Sequence, residues 1–163
     1  MGGSFELVPL RASLLLQAYP LVREAAPEVT LDQWRRYARA LIRPPRGRQS
    51  GIVALRCEND YLRGLFSYRV VPDLVSGRTL VVDCLAVSTL FSPGEIADAL
   101  LAEAERIARR HRCATLRAAF PTRAEEIEEV LARRGFDPCG SCRLKPLGPS
   151  GAGGKPRSVL SVV

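Results

Sequence analysis

The stretch Thr79 to Leu101, TLVVDCLAVSTLFSPGEIADALL, constrains the fold most. From Thr79 to Ser88 aliphatic and β-branched residues occupy both faces, the pattern of a strand covered on two sides. Phe91-Ser92-Pro93-Gly94-Glu95 then opens a helix, with Ser92 as N-cap, Pro93 at the first helical position and Glu95 completing a Ser-x-x-Glu capping box. Ile96, Ala97, Leu100, Leu101, Ala104, Ile107 and Ala108 keep the helical period to about Arg112. A strand that feeds a helix N-terminus brings backbone N–H groups and the positive end of the helix dipole together, which suits an anion.

The rest of the chain extends this unit in both directions. Phe5 to Pro9 reads as a strand, and Leu10 to Ala18 as a helix that Pro20 ends or kinks, with a further turn over Leu21 to Ala26. Thr30 and Gln33 form a second capping box ahead of an apolar stripe of Leu31, Trp34, Ala38, Leu41 and Ile42, and Pro44-Pro45 stops that helix. Gly51 to Cys57 and Tyr61 to Val71 read as a hairpin turning at Glu58-Asn59-Asp60. Pro72 to Arg78 is a loop, and the second hairpin strand pairs antiparallel with Thr79 to Ser88.

After the long helix, Ala114 to Phe120 reads as a strand, parallel to Thr79 to Ser88 through a right-handed crossover. Thr122 and Glu125 cap a last helix packed through Ile127, Val130 and Leu131, with Gly135 as its C′ residue and Phe136 as the apolar partner beyond. Phe136 to Pro138 and Ser141 to Leu147 offer two short closing strands. The order implies an α/β fold with a central mixed sheet flanked by helices. Residues 1–147 form the domain; residues 148–163 are a Gly- and Pro-rich linker and a short apolar tail, which suits an edge strand or a homodimer contact.

At 163 residues the chain suits one domain with a real core. No apolar run approaches a membrane span and the N-terminus lacks a signal-peptide pattern, so a cytoplasmic protein is expected. The formal net charge of +7 rests almost wholly on arginine. Lys145 and Lys155 are the lysines, a bias that suggests a GC-rich bacterial genome. Such charge favours anionic partners or is simply a solvated basic surface. The arginines are dispersed with no interleaved aromatics, which speaks against nucleic acid. Five cysteines suggest reduced thiols rather than a disulfide framework. Cys139-Gly-Ser-Cys142 is a lone CxxC, and His111, the one histidine, lies far from it, so no metal is expected.

This order resembles the GNAT superfamily of N-acetyltransferases. The likeness is carried by Val82-Asp83-Cys84-Leu85-Ala86-Val87 as the fourth strand, by Ile96 to Leu101 as the helix after the cofactor loop, and by Val130 to Phe136 as a helix ending before Gly-Phe. It covers roughly Phe5 to Leu147. The resemblance implies that the fourth and fifth strands splay apart and that acetyl-CoA enters between them. Leu85, Ala86 and Val87 would then face pantetheine, and Ser92, Pro93, Gly94, Glu95, Ile96 and Ala97 would form the phosphate loop. The family's loop has Arg or Gln, then two residues, a glycine, one residue and a Gly or Ala. Those places hold Ser92, Glu95 and Ala97 here, so only Ala97 fits, and a self-capped helix start is the other reading. Leu131 stands where many members carry a proton-donating tyrosine.

Asp83 interrupts an apolar strand and is the candidate general base; period two places it on the face of Val81, Leu85 and Val87. Its alternative is a structural carboxylate tied to backbone or an arginine. Tyr68, on the second hairpin strand, is a candidate wall of the acceptor cleft or a packing residue. The resemblance implies acetyl transfer to a small amine, an amino acid or a protein N-terminus. The alternative is a GNAT-fold module without activity that binds a ligand or protein.

Overall fold

A computed structural model describes residues 5–90, 92–120 and 124–139. Five strands, β1 (Phe5–Pro9), β2 (Gln49–Cys57), β3 (Leu62–Asp73), β4 (Gly77–Val87) and β5 (Thr115–Ala118), form one sheet in the order β1-β2-β3-β4-β5. The first four pair antiparallel and β5 joins β4 parallel, the mixed α/β sheet expected. Helices α1 (Leu15–Ala25) and α2 (Leu31–Ile42) cover one face through Leu15, Ala18, Leu21, Trp34, Ala38 and Leu41. Helices α3 (Pro93–Arg110) and α4 (Glu125–Arg133) cover the other through Ile96, Leu100, Leu101, Ile107, Ile127 and Val130.

Local signals explain most boundaries. At α2 the capping box forms as expected: Thr30 Oγ1 accepts from the Gln33 N–H at 3.3 Å and Gln33 Oε1 accepts from the Thr30 N–H at 2.8 Å. Trp34, 2% exposed, donates its indole N–H to the Leu15 carbonyl at 2.8 Å, which locks α2 onto α1. At the end of α4, Gly135 has φ +80°, and the Gly135 and Phe136 N–H groups donate to the carbonyls of Ala132 and Leu131, both at 3.0 Å. This is a Schellman closure, and Phe136 packs on the core beyond it.

Four expectations change. Helix α1 runs through Pro20 instead of ending there, because buried Leu15, Ala18, Leu21 and Val22 sit on both sides of it and hold the helix together. The hairpin continues through Pro72 and Asp73, so the turn before β4 is confined to residues 74–76. Phe136 to Pro138 is not a strand, since the Phe136 N–H is spent on closing α4. The N-cap of α4 is Ala124, with no side-chain capping bond. Thr122, Ser141 to Leu147, Cys142 and the 148–163 tail lie outside the described residues. Among the described residues no helix is long and apolar enough to cross a membrane, and no cluster of His, Cys, Asp and Glu suits a metal.

Candidate active site

The site is built around a fault in β4. Below it, Tyr68 opposes Val82; above it, Ser67 opposes Cys84, so Asp83 is an extra residue with no partner on β3. This is a β-bulge. Its effect shows in the side chains: Leu80 and Val82 face α3 below the bulge, and Leu85 and Val87, not Cys84 and Ala86, face α3 above it. Ala86 and Cys84 pack toward α1 and α2. Alternation through Asp83 is therefore broken, and the expected common face of Val81, Asp83, Leu85 and Val87 does not exist.

The same fault re-aims the backbone. The Ser88 N–H donates to the Arg63 carbonyl at 2.8 Å, so the bonded partners of β3 are Ser88 and, alternating, Ala86 and Cys84. Leu85 and Val87 consequently turn their N–H and C=O groups away from β3, toward the β5 side. Pairing with β5 runs from Thr79 to Val82 and ends where the Ala119 N–H meets the Val82 carbonyl at 2.8 Å. Below the bulge the β5-facing positions are Leu80 and Val82; above it they are Leu85 and Val87. A regular β5 cannot follow that odd step, and among the described residues the last part of β4 has no strand partner on this side. Of the three residues expected to face pantetheine, Leu85 and Val87 turn their backbone groups to the β5 side and Ala86 turns its own to β3.

On the α1/α2 face a polar cluster surrounds the bulge. Arg69 grips Asp83 with two bonds, Nε to Oδ2 at 2.6 Å and Nη2 to Oδ1 at 2.8 Å. Asp83 is thus the arginine-tied carboxylate that the sequence left open as an alternative. Beside it the Tyr37 hydroxyl, from α2, lies 2.6 Å from the Ser67 hydroxyl. Burial pushes the Tyr37 phenol up to about 12; the charges of Asp83 and Cys84 add to this, and the Ser67 bond and Arg69 oppose it. It is therefore a neutral donor at any physiological pH. Burial likewise pushes the Cys84 thiol up to about 11, with Asp83 adding to it, so Cys84 is no nucleophile. Sequence reading missed Tyr37 and Ser67. Their trace was a hydroxyl-tipped ring flanking the α2 stripe and a lone serine inside an apolar strand.

Tyr68 lies on the opposite face. It packs against the α3 core beside Phe66 and lines a cavity of about 380 Å³ with Arg11, Gly51, Glu103, Arg106 and Arg110, away from the bulge cluster.

The start of α3 differs most from expectation. Ser92 caps it with left-handed backbone, φ +32° and ψ +60°, and no side-chain capping bond. A serine hydroxyl reaches the third N–H from β-region backbone, so the Ser92–Glu95 box does not form. The N–H groups of Glu95 and Ile96 instead both donate to the Ser92 carbonyl, at 3.0 and 3.2 Å, and Pro93 has none to give. A β-carbon added at Gly94 would lie 3.8 Å from Val130 Cγ2 and 4.0 Å from Glu126 Oε2, so a carboxylate from the acidic first turn of α4 lies near this turn. Glu24 of α1 accepts from the Thr89 N–H at 3.1 Å and from its hydroxyl, tying down the loop that leaves β4. Asp98, one turn into α3, is held by Arg134 through Nε at 2.8 Å and Nη2 at 3.0 Å.

Comparison with protein-family models finds no match, and neither does comparison with curated protein sequences. Solved structures do match. An aminoglycoside N-acetyltransferase in complex with CoA is 13% identical, with a TM-score of 0.71 over 93% of this chain and 98% of its own. A ribosomal-protein-alanine N-acetyltransferase from Brucella melitensis biovar Abortus 2308 is 19% identical, with a TM-score of 0.69 over 88% of this chain and 100% of its own. A glucosamine-6-phosphate N-acetyltransferase from Arabidopsis thaliana is 12% identical, with a TM-score of 0.67 over 88% and 98%. With its mixed sheet, its flanking helices and these neighbours, the chain has the fold of the GNAT superfamily of N-acetyltransferases.

Proposed function

We propose that this protein is an N-acetyltransferase that moves an acetyl group from the thioester of acetyl-CoA to an amine. The observation that supports this most is the end of β4, where Leu85 and Val87 present backbone N–H and C=O groups that no strand among the described residues uses. An extended arm rich in amides fits such an edge as an added strand fits a sheet. Pantetheine has that character. The start of α3 is a poorer match for the diphosphate end, because Pro93 has no N–H, that of Glu95 bonds the Ser92 carbonyl, and Glu126 lies near Gly94.

Acetyl-CoA, when bound, supplies an acetyl group activated on sulfur. The amine nitrogen must arrive without its proton, form the new C–N bond and displace the thiolate, which takes up a proton. Asp83, fixed by two bonds from Arg69, holds a negative charge at the bulge that attracts and orients an amine acceptor. Tyr37, kept protonated by burial, is the hydroxyl at the bulge that can give a proton, in the absence of a tyrosine at Leu131. A small-molecule amine and a protein N-terminus both satisfy this chemistry.

Calorimetric titration with acetyl-CoA, followed by thiol release with aminoglycoside, N-terminal alanine peptide and amino-sugar acceptors, tests the proposal. Saturable binding tighter than about 1 mM with turnover of one acceptor class supports it. No binding at that concentration overturns it. Binding without turnover favours the second reading, an inactive GNAT-fold module, which the acidic surroundings of Gly94 support.

A further inference from the structure

Resting on the reading of the β4 edge as the donor site, we propose that this protein recognises its thioester donor by the pantetheine arm alone, and that the diphosphate contributes nothing to binding. The donor class is therefore an acyl thioester of pantetheine, with or without the nucleotide.

Four observations converge on the start of α3, where a diphosphate would lie. A helix N-terminus binds phosphate through its first free N–H groups. Here Pro93 has none, and that of Glu95 is turned onto the Ser92 carbonyl at 3.0 Å beside the ordinary first helical bond from Ile96 at 3.2 Å, so the Gly94 N–H is the one left in the first turn. Glu126 of α4 lies near Gly94, its Oε2 4.0 Å from where a Gly94 β-carbon would be, beside Val130 Cγ2 at 3.8 Å. Glu95 and Glu126 are both exposed. The left-handed Ser92 leads the chain into α3 without its hydroxyl capping the turn. Both carboxylates lie toward the positive end of the α3 dipole, where negative charge opposes the approach of a second anion. The pantetheine edge is untouched by any of this. Leu85 and Val87 lie before the loop, and their backbone groups are aimed by the bulge at Asp83, not by α3.

Charge alone separates the two donor ends, so the test compares acetyl-CoA with acetyl-pantetheine on the full chain by calorimetric titration. The expected result is dissociation constants within about threefold of each other, since an edge that reads only amides gains little from the nucleotide. The second arm uses Glu95→Gln with Glu126→Gln, two exposed substitutions that leave the core intact. Removing both like charges is expected to tighten acetyl-CoA about threefold to tenfold, with acetyl-pantetheine unchanged as the internal reference. Acetyl-CoA binding more than tenfold tighter than acetyl-pantetheine in the native protein overturns the inference and leaves the transferase reading standing. A double variant with unchanged acetyl-CoA affinity also overturns it, because the carboxylates would then not oppose the diphosphate. Failure of both donors to bind removes the donor site itself, and with it the proposed function.

Discussion

Replacing Gly64 with alanine tests how closely the sheet and α3 are pressed together behind the candidate site. Gly64 lies on β3 opposite Val87. A β-carbon there would sit 2.8 Å from Ile96 Cγ2, 2.9 Å from Leu100 Cδ1 and 3.2 Å from the Ala86 carbonyl oxygen. Carbon atoms prefer separations of about 3.5–4.0 Å, so both side chains must yield by more than half an ångström. Neither has room: Ile96 is 1% exposed and Leu100 0%. The whole first half of α3 must therefore move, a cost of about 1–3 kcal/mol. For a chain of 163 residues this lowers Tm by about 2–4 °C per kcal/mol. Urea unfolding is the assay: the midpoint of Gly64→Ala falls and the m value stays unchanged. Leu100→Val, destabilising alone, is expected to be partly compensating beside Gly64→Ala, with a coupling of about 0.5 kcal/mol or more. An unshifted midpoint for Gly64→Ala, or strict additivity in the pair, refutes the close approach.

Arg134→Ala removes a side chain that is 19% exposed and bonds both Asp98 and Glu105 across α3 and α4; a loss of about 1–3 kcal/mol in urea unfolding is expected. The Arg134 bond holds the Asp98 carboxyl below its usual range, so this part of the stability is present above about pH 4 and is lost as pH falls through the lowered value; the variant should lose less on acidification. Tyr37 is raised, so its contribution is full below its unfolded value of about 10 and is lost as pH rises toward 12; ultraviolet titration should show one phenol ionising last, absent in Tyr37→Phe. Tyr37→Phe should also cut kcat more than KM if the hydroxyl gives a proton, and an unchanged kcat would remove that role. With Cys84 pushed up to about 11, alkylation at pH 8 followed by peptide mapping should mark exposed Cys139 well before Cys84.

Periodicity made most of the fold legible, because amphipathic helices and buried strands write their faces into the chain. The hairpin, the parallel crossover, the long α3 and the Gly135 closure all follow from such local rules. The two capping boxes show where those rules end. Thr30 and Ser92 begin the same motif, yet Thr30 sits at φ −79° and ψ 160° and caps, whereas Ser92 sits at φ +32° and does not. The difference lies in how the preceding chain arrives, which no four-residue pattern records. The bulge was hidden for a similar reason. Asp83 looked like one polar residue in an apolar strand, and nothing local says that it has no partner on β3. Tyr37 and Ser67 are 30 residues apart and meet through helix–sheet packing, so the candidate site became visible only with the tertiary structure.

The sheet also sets an order of formation. Strands β2, β3 and β4 are joined by tight turns, so their pairing requires the closing of short loops only. β5 must wait for the whole of α3, and then adds four residues at the margin. β5 is thus expected to be held less firmly than the central strands. Amide hydrogens of Thr115 to Ala118 should exchange with solvent sooner than those of central β3, and a donor's way in lies along the portion of the protein that opens most readily.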